Sequence, residues 1–300
     1  MGSSGGGEAV DMAAKSRVRK FLWHRAGVVA RTAGQLTADR RLTPSFLIVG
    51  TQRGGTTSLY KALVQHPAYL PPRFRKGVHY FDMDYHRGHK WFMGHFPSRA
   101  KAERTAQATG MPAITGEASP YYMWHPLAPE RIARDLPGVK LIVLLRDPVE
   151  RAYSGHAHEY ARGFETEKFE QAVALEPERM AGERAKMAAD PSYHSHAVRH
   201  LAHLGRGEYV DQLLHLESLV GRERLHVVDS HDYFAKPEQV FSGVCGFLGI
   251  PDVPGIEHDQ HNARPRMAMP DTLRSRLEDH FAPYDARLAD WLGQTPSWRR

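Results

Sequence analysis

The chain has 300 residues but a single cysteine, Cys245, and no run that approaches 18 consecutive apolar residues. One cysteine excludes an intrachain disulfide and a zinc site built from cysteines, and its apolar surroundings predict a buried, inert thiol. A transmembrane helix needs about 20 apolar residues, so no span is predicted. No secretory signal is recognisable, and together with the lack of disulfides this favours a cytoplasmic protein.

An excess of positive over negative charge is also lacking over most of the chain. The formal net charge is +6, but residues 1–44 alone hold eight Lys and Arg against three Asp and Glu. A nearly neutral remainder does not coat a polyanion, so we predict no nucleic-acid partner. Residues 1–44 are predicted to be a basic, partly flexible N-terminal extension, and residues 45–300 one domain. The stretch FLWHRAGVVARTAGQL in the extension favours an amphipathic helix, packed on the domain or lying on a membrane surface.

The domain alternates strand and helix patterns, which is typical of a parallel sheet covered by helices on both faces. Its length suits one large α/β domain. We therefore expect a three-layer fold with a central parallel sheet flanked by helices. Strands are predicted at 46–49, 78–81, 140–145 and 225–228, and helices at 55–66, 87–95, 126–135, 149–161, within 167–218, at 237–248 and at 270–292.

The most informative segment is SFLIVGTQRGGTTS at residues 45–58. Its glycines permit a tight turn after the strand, and its hydroxyl residues open a helix whose free N–H groups favour an anion. The pattern is almost that of a nucleotide-binding P-loop, but Thr56 stands where the lysine belongs and the cation is Arg53. A phosphate-binding loop is therefore predicted, but not one for the β- and γ-phosphates of ATP with magnesium. Its predicted ligand-binding residues are Gln52, Arg53, Gly54, Gly55, Thr56, Thr57 and Ser58.

A second motif, LIVLLRDPVERAYSGH, places Arg146 after an apolar strand. Open α/β sheets bind ligands at this edge, and a guanidinium suits a phosphate. Two helical turns bring Ser154 back towards the strand end. Alternatively, Arg146 pairs with Asp147 or Glu150 and Ser154 is a packing residue. Asp147 precedes a proline, which favours a helix cap over a magnesium ligand.

These two motifs, in this order and about a hundred residues apart, resemble those of sulfotransferases that use 3′-phosphoadenosine 5′-phosphosulfate (PAPS). The similarity is greatest to the heparan sulfate sulfotransferases and their bacterial relatives, and it runs from about residue 45 to the C-terminus, so that 45–300 is a sulfotransferase domain. It implies that the loop with Arg53 binds the 5′-phosphosulfate and that Arg146 and Ser154 bind the 3′-phosphate. It also implies release of adenosine 3′,5′-bisphosphate, no metal, and a hydroxyl or amine acceptor on a small molecule or a glycan.

The chain departs from that family at the expected base. RKGVHYFD resembles the motif K-E-x-H-F-F, but Gly77 replaces its glutamate, while Lys76 and His79 remain. In an extended segment, His79 lies on the same face as residue 77, and its neutral imidazole is a base near pH 7. His79 is the predicted base, a histidine satisfied in the core is the alternative, and Glu117 and Asp82 are the fallback candidates.

Three more segments resemble parts of that family. TGEASPYYMWH resembles G-E-K-S-P-x-Y, so Glu117 is predicted to meet the acceptor or to orient a neighbour, while Ala118 replaces the lysine. In HNARPRM, Arg264 and Arg266 are predicted to cover the 3′-phosphate, with solvated loop charges as the alternative. Arg206 and Tyr209 are predicted to border the cofactor.

Two other functions stay open from the sequence. LIVLLRD also resembles the magnesium-binding strand of P-loop kinases, so a phosphotransferase is one alternative. A catalytically inactive nucleotide-binding homologue is the other, because the glutamate at position 77 is missing. In the enzyme interpretation, the predicted catalytic residues are His79, Arg53 and Glu117.

Overall fold

A computed structural model describes residues 34–261 and 269–300, and within them four parallel strands form a central sheet. In chain order the strands are β1 (Phe46–Gly50), β2 (Gly116–Ala118), β3 (Lys140–Leu145) and β4 (Leu225–Asp229). Their spatial order is β2-β1-β3-β4, with Phe46 opposite both Gly116 and Lys140. The parallel α/β fold predicted from the sequence is confirmed.

Helices cover both faces of this sheet. They are α1 (Thr56–Gln65), α2 (His89–Met93), α3 (Arg99–Thr109), α4 (Ala128–Asp135), α5 (Pro148–Ala161), α6 (Phe169–Met180), α7 (Glu183–Ala189), α8 (Tyr209–Val220), α9 (Ser230–Ala235), α10 (Pro237–Leu248) and α11 (Asp271–Leu292). A short turn of 3₁₀ helix follows at Ser297–Arg299. Most of the predicted helices are found within a few residues of their expected ends.

The two central strands are covered on both faces, which explains their unbroken runs of apolar residues. Leu47 and Val49 belong to the hydrophobic cluster on one face of the sheet, whereas Phe46 and Ile48 belong to the cluster on the other. Side chains of a strand alternate between faces, so a strand that is covered on both faces needs apolar residues at every position.

The predicted strand at 78–81 is wrong. Val78 and His79 have no regular secondary structure, Tyr80 and Phe81 lie in a turn, and His79 has a φ of 57°, in the left-handed region that a strand does not use. Tyr80 and Phe81 are buried in an aromatic cluster, where Tyr80 stacks on Phe92 with ring centroids 4.8 Å apart. The fourth strand is β2 instead, which is three residues long and carries a buried glutamate, so it lacks a recognisable apolar pattern.

The described part of the N-terminal extension packs on the domain. Arg41 is buried, and its Nη1 donates to the carbonyl of Phe96 over 3.2 Å. Its Nη2 donates to Thr37 Oγ1 over 2.6 Å, and the amide of Leu42 bonds the carbonyl of Pro97. The helix predicted from FLWHRAGVVARTAGQL lies mostly outside the described residues.

Candidate active site

The loop between β1 and α1 is tied to the neighbouring strand β3. Thr51 Oγ1 donates to the carbonyl of Leu144 over 2.7 Å, and the amide of Gly54 bonds the carbonyl of Thr51. A Cβ at Gly54 would lie 2.7 Å from the Leu144 carbonyl oxygen, so that position has no room for a side chain. Gly55 precedes the helix with a φ of 93°, which glycine adopts without strain. The loop therefore needs both glycines to open α1 against the sheet.

A cavity of about 700 Å³ lies at the carboxyl edge of β1, β3 and β4. Arg53, Arg146 and Ser154 all line it, together with Thr56 and Thr57 at the start of α1. Phe234 adds an aromatic surface. Two guanidinium groups, a glycine loop, a helix N-terminus and an aromatic ring fit a phosphorylated nucleoside.

The two predicted phosphate-binding arginines, Arg53 and Arg146, lie close together inside this cavity. Arg53 Nε donates to Ser154 Oγ over 2.9 Å, and Arg146 Nη1 lies 3.5 Å from the carbonyl oxygen of Arg53. Arg146 Nη2 also lies 3.4 Å from Glu150 Oε2, so the alternative ion pair forms as well. The side chain of Asp147 caps α5 by accepting from the amide of Val149 over 2.9 Å, as predicted.

Part of the cavity wall comes from the far end of the chain. Ser297 and Trp298 line the cavity, although they follow α11 in sequence. The Ser297 amide and hydroxyl donate to the two carboxylate oxygens of Asp229, over 3.0 and 2.9 Å. Trp298 packs against Tyr209, whose hydroxyl donates to the carbonyl of Arg146 over 2.8 Å. Tyr209 thus borders the site through the backbone of Arg146.

Two predicted loop residues point elsewhere. Gln52 donates to Glu159 Oε1 over 3.0 Å and accepts from Arg206, whose guanidinium also donates to the carbonyl of Val198 over 3.0 Å. Burial lowers the pKa of Arg206 to about 10. Ser58 Oγ accepts from the amide of His261 over 3.0 Å. Gln52, Arg206 and Ser58 therefore support the shape of the loop and do not line the cavity.

A cation that the sequence analysis left without a role reaches the start of α1. Lys76 Nζ lies 3.2 Å from Thr56 Oγ1 and 3.0 Å from Thr57 Oγ1. Burial lowers the pKa of Lys76 to about 8, and the nearby carboxylate of Glu117 opposes that shift. No local pattern signals this contact, because it forms only when the 71–79 segment folds back onto α1.

His79 is paired with Asp82. Its Nδ1 lies 2.8 Å from Asp82 Oδ2, and 35% of its side chain is exposed. Burial would lower the pKa of His79, but the hydrogen bond and charge of Asp82 outweigh it and raise that pKa above its ordinary value. His79 does not line the nucleotide-sized cavity. Its partner Asp82 lines a second cavity of about 520 Å³, together with Tyr85, Arg131, Asp190 and His194.

Glu117 lies beneath the segment that carries Lys76 and His79. It is fully buried, and its Oε2 accepts from the amide of Val78 over 3.1 Å and from Ser119 Oγ over 2.8 Å. Its Oε1 has no hydrogen-bond partner among the described residues. Burial raises the pKa of Glu117. Glu117 is thus bonded to the backbone of the 76–79 segment, and its predicted role towards the acceptor or a neighbouring group stays a prediction.

Position 77 has no space for the glutamate of the resembling motif. A Cβ on Gly77 would lie 2.7 Å from the carbonyl oxygen of Ala118 and 2.9 Å from Ser119 Oγ. The backbone of Ala118 and the side chain of Ser119 therefore occupy the space that a side chain at position 77 would need.

Some predictions fall outside the described residues. Arg264 and Arg266 lie in the segment 262–268, so their predicted contact with a 3′-phosphate stays a prediction. Within residues 34–261 and 269–300, no three His, Cys, Asp or Glu side chains form a metal-binding group. In the same part of the chain, no helix combines the length and apolar character needed to cross a membrane.

Comparison with known proteins agrees with this geometry. The family model described as "Sulfotransferase domain" matches residues 43–263. The chain is 24% identical to the membrane-associated sulfotransferase kil1 of Dictyostelium discoideum, over 95% of this chain and 72% of that protein. It is 28% identical to human heparan sulfate glucosamine 3-O-sulfotransferase 6, over 86% of this chain and 75% of that one.

Among solved structures, a sulfotransferase from Alicyclobacillus acidocaldarius is 28% identical, with a TM-score of 0.64 over 86% of this chain and 100% of that one. The chain also matches bifunctional heparan sulfate N-deacetylase/N-sulfotransferases, of whose length it spans a third or less.

Proposed function

The chain belongs to the sulfotransferase domain family, and from that premise we propose that it moves a sulfuryl group from PAPS to a hydroxyl or amine acceptor. The observation that carries the choice of donor is the shared cavity of Arg53, Arg146 and Ser154. A donor with phosphates at both its 3′ and 5′ positions needs two anion-binding groups. The cavity supplies the glycine loop that opens α1 and, next to it, the strand-end pair Arg146 and Ser154.

PAPS supplies the sulfuryl group and a stable leaving group, and the protein supplies charge and placement. Arg53, the loop amides and the hydroxyls of Thr56 and Thr57 hold the negative charge at the start of α1. Arg146 and Ser154 hold the 3′-phosphate, which fixes the donor relative to the acceptor. Arg53 acts through its charge alone, because a guanidinium keeps its protons at neutral pH.

We place the acceptor on the side of the 76–82 segment. The carboxyl ends of β1, β3 and β4 border the donor cavity, whereas Asp82, the partner of His79, lines the second cavity. His79 takes the acceptor's proton in this proposal, and Asp82 holds the ring through Nδ1 and leaves Nε2 for that proton. A carbohydrate is the acceptor class that the heparan sulfate relatives support.

A kinase-type phosphotransferase is not favoured by the family match, and the loop has Thr56 in place of the P-loop lysine. We further propose a reducing compartment such as the cytoplasm, because the one cysteine, Cys245, is buried and free. The membrane association in the name of one relative makes fractionation of the expressed protein the test of that location.

The activity is tested with ³⁵S-labelled PAPS and an acceptor panel of glucosamine, N-acetylglucosamine and desulfated heparan oligosaccharides. We expect label transfer and release of adenosine 3′,5′-bisphosphate at the same rate with and without EDTA. ATP with magnesium and the same acceptors is the matched reaction for a phosphotransferase. Phosphoryl transfer that EDTA abolishes, or nucleotide binding without any sulfuryl transfer, would replace the proposal with one of the two alternatives.

A further inference from the structure

Lys76 and Arg53 both bring positive charge towards the start of α1, but their contacts differ. Arg53 also turns its Nε to Ser154, which we assign to the 3′-phosphate. Lys76 instead places Nζ within 3.2 Å of the hydroxyls of both Thr56 and Thr57, at the N-terminus of α1. That helix start is where the sulfated phosphate binds in the proposed function, on which this inference rests.

We propose that Lys76 is a catalytic residue that donates the proton to the leaving 5′-phosphate oxygen. Thr56 and Thr57, whose hydroxyls it contacts, line the donor cavity, so its ammonium lies directly behind the helix start that holds the sulfated phosphate in the proposed function. The backbone next to Lys76 is also fixed in place, because Glu117 on β2 accepts a hydrogen bond from the amide of Val78, two residues further along the chain.

Proton and electron balance in this step is simple. Lys76 passes one ammonium proton to the bridging oxygen, which keeps the electron pair of the broken sulfur–oxygen bond. The acceptor oxygen forms the new bond to sulfur and loses its own proton to the base. Lys76 then regains a proton from solvent. Arg53, which replaces the usual lysine of the loop, keeps its protons at neutral pH and cannot act as the acid. Lys76 supplies that acid from beside the loop.

The groups that face Lys76 set its titration. From α1 these are Thr56, Thr57 and the ring of Tyr60, whose centroid lies 5.9 Å from Nζ, and from β2 it is Glu117. Burial brings the pKa of Lys76 down to about 8. Lys76 is therefore mostly protonated at pH 7, as a proton donor must be, and loses its proton as the pH rises through 8.

The test uses water as the acceptor, so it needs no knowledge of the natural one: PAPS hydrolysis is followed by release of adenosine 3′,5′-bisphosphate. Lys76→Arg keeps the charge and loses the donor, and we expect turnover to fall by about 100-fold, within the range for general acid catalysis. The fall in rate above pH 8 should disappear with it. Lys101→Met, an exposed lysine on α3, is the matched control and should behave as the wild type.

Two readouts other than activity separate catalysis from structure. Binding of adenosine 3′,5′-bisphosphate by calorimetry and the midpoint of thermal unfolding should change little in Lys76→Arg, and NMR of labelled lysine Nζ should show a titration near pH 8. In Lys76→Cys, alkylation with bromoethylamine rebuilds a lysine-like amine and should restore turnover. The native Cys245 is buried, and the Lys76→Cys/Cys245→Ala double variant isolates the reaction at position 76.

Turnover of Lys76→Arg within threefold of wild type, with the decline above pH 8 intact, would overturn the proposal and leave Lys76 as a tie between the 71–79 segment and α1. Loss of nucleotide binding that is as large as the loss of turnover would do the same. A wild-type protein that neither binds the bisphosphate nor hydrolyses PAPS would instead refute the proposed function itself.

Discussion

Arg146 provides the sharpest test of which phosphate each end of the cavity binds. Its side chain is 30% exposed and lines the cavity, and its Nη2 lies 3.4 Å from Glu150 Oε2. If it binds the 3′-phosphate, Arg146→Ala removes a charge-assisted contact to a ligand group that adenosine 5′-monophosphate does not possess. The effect of the substitution must therefore depend on the ligand.

The magnitude follows from the kind of contact. A hydrogen bond to a charged group contributes about 1.5–3 kcal/mol, and each 1.4 kcal/mol is about tenfold in a dissociation constant. We expect Arg146→Ala to weaken adenosine 3′,5′-bisphosphate binding by about 10- to 150-fold. The lower end is the better expectation, because Glu150 already accepts from Arg146 and from Arg274, and the ligand competes for that guanidinium.

The assay is calorimetric titration of wild type and variant with both nucleotides, which gives a cycle between the protein group and the ligand group. Arg276→Ala is the matched control, since this arginine on α11 pairs with Glu170 on the surface. Binding of the monophosphate should change by less than threefold. Equal losses for the two nucleotides would show that Arg146 acts on a group they share, and no loss for either would return Arg146 to a structural pair with Glu150.

Three further predictions address the loop, the base and the closed position at Gly77. Arg53→Ala should lower PAPS turnover by about 100-fold or more, since removing one preorganised electrostatic donor typically costs that much; a near-normal rate removes Arg53 from the mechanism. His79→Gln should flatten the acid limb of the pH–rate profile for acceptor sulfation. Asp82→Asn should move that limb to lower pH, because the interaction with Asp82 raises the pKa of His79 and the base works only when neutral; an unmoved limb in both variants would transfer the role to Glu117. Gly77→Ala should lower the free energy of unfolding by about 1–3 kcal/mol in denaturant titration, because its Cβ would meet a backbone carbonyl at 2.7 Å. Gly243→Ala, a helical glycine with open space around it, is its control and should cost nothing.

The central strands and the donor loop could be predicted from the sequence, because each depends on residues that are close together in the chain. The apolar runs of β1 and β3 and the glycines at 54 and 55 each reflect a constraint of their own neighbourhood. The meeting of Arg146 with Arg53 also followed from a general rule, since neighbouring parallel strands end at the same edge of a sheet.

The segment 76–82 could not be predicted in this way. Its apolar residues read as a strand, but Tyr80 and Phe81 gain more by packing into the aromatic cluster, and a left-handed turn at His79 aims the ring at Asp82. The reach of Lys76 to α1 depends on that turn. Contacts between residues far apart in sequence, made by long flexible side chains, leave no periodic signature.

The cavity draws its walls from segments as far apart as Arg53 and Trp298, with Asp229 holding the turn at Ser297 in place. A bound nucleotide therefore restrains the turn that holds Ser297 and Trp298, and it should slow hydrogen exchange there by mass action as much as in the loop itself. Protease resistance of that distant turn, with and without the bisphosphate, then reports ligand binding before any acceptor is known.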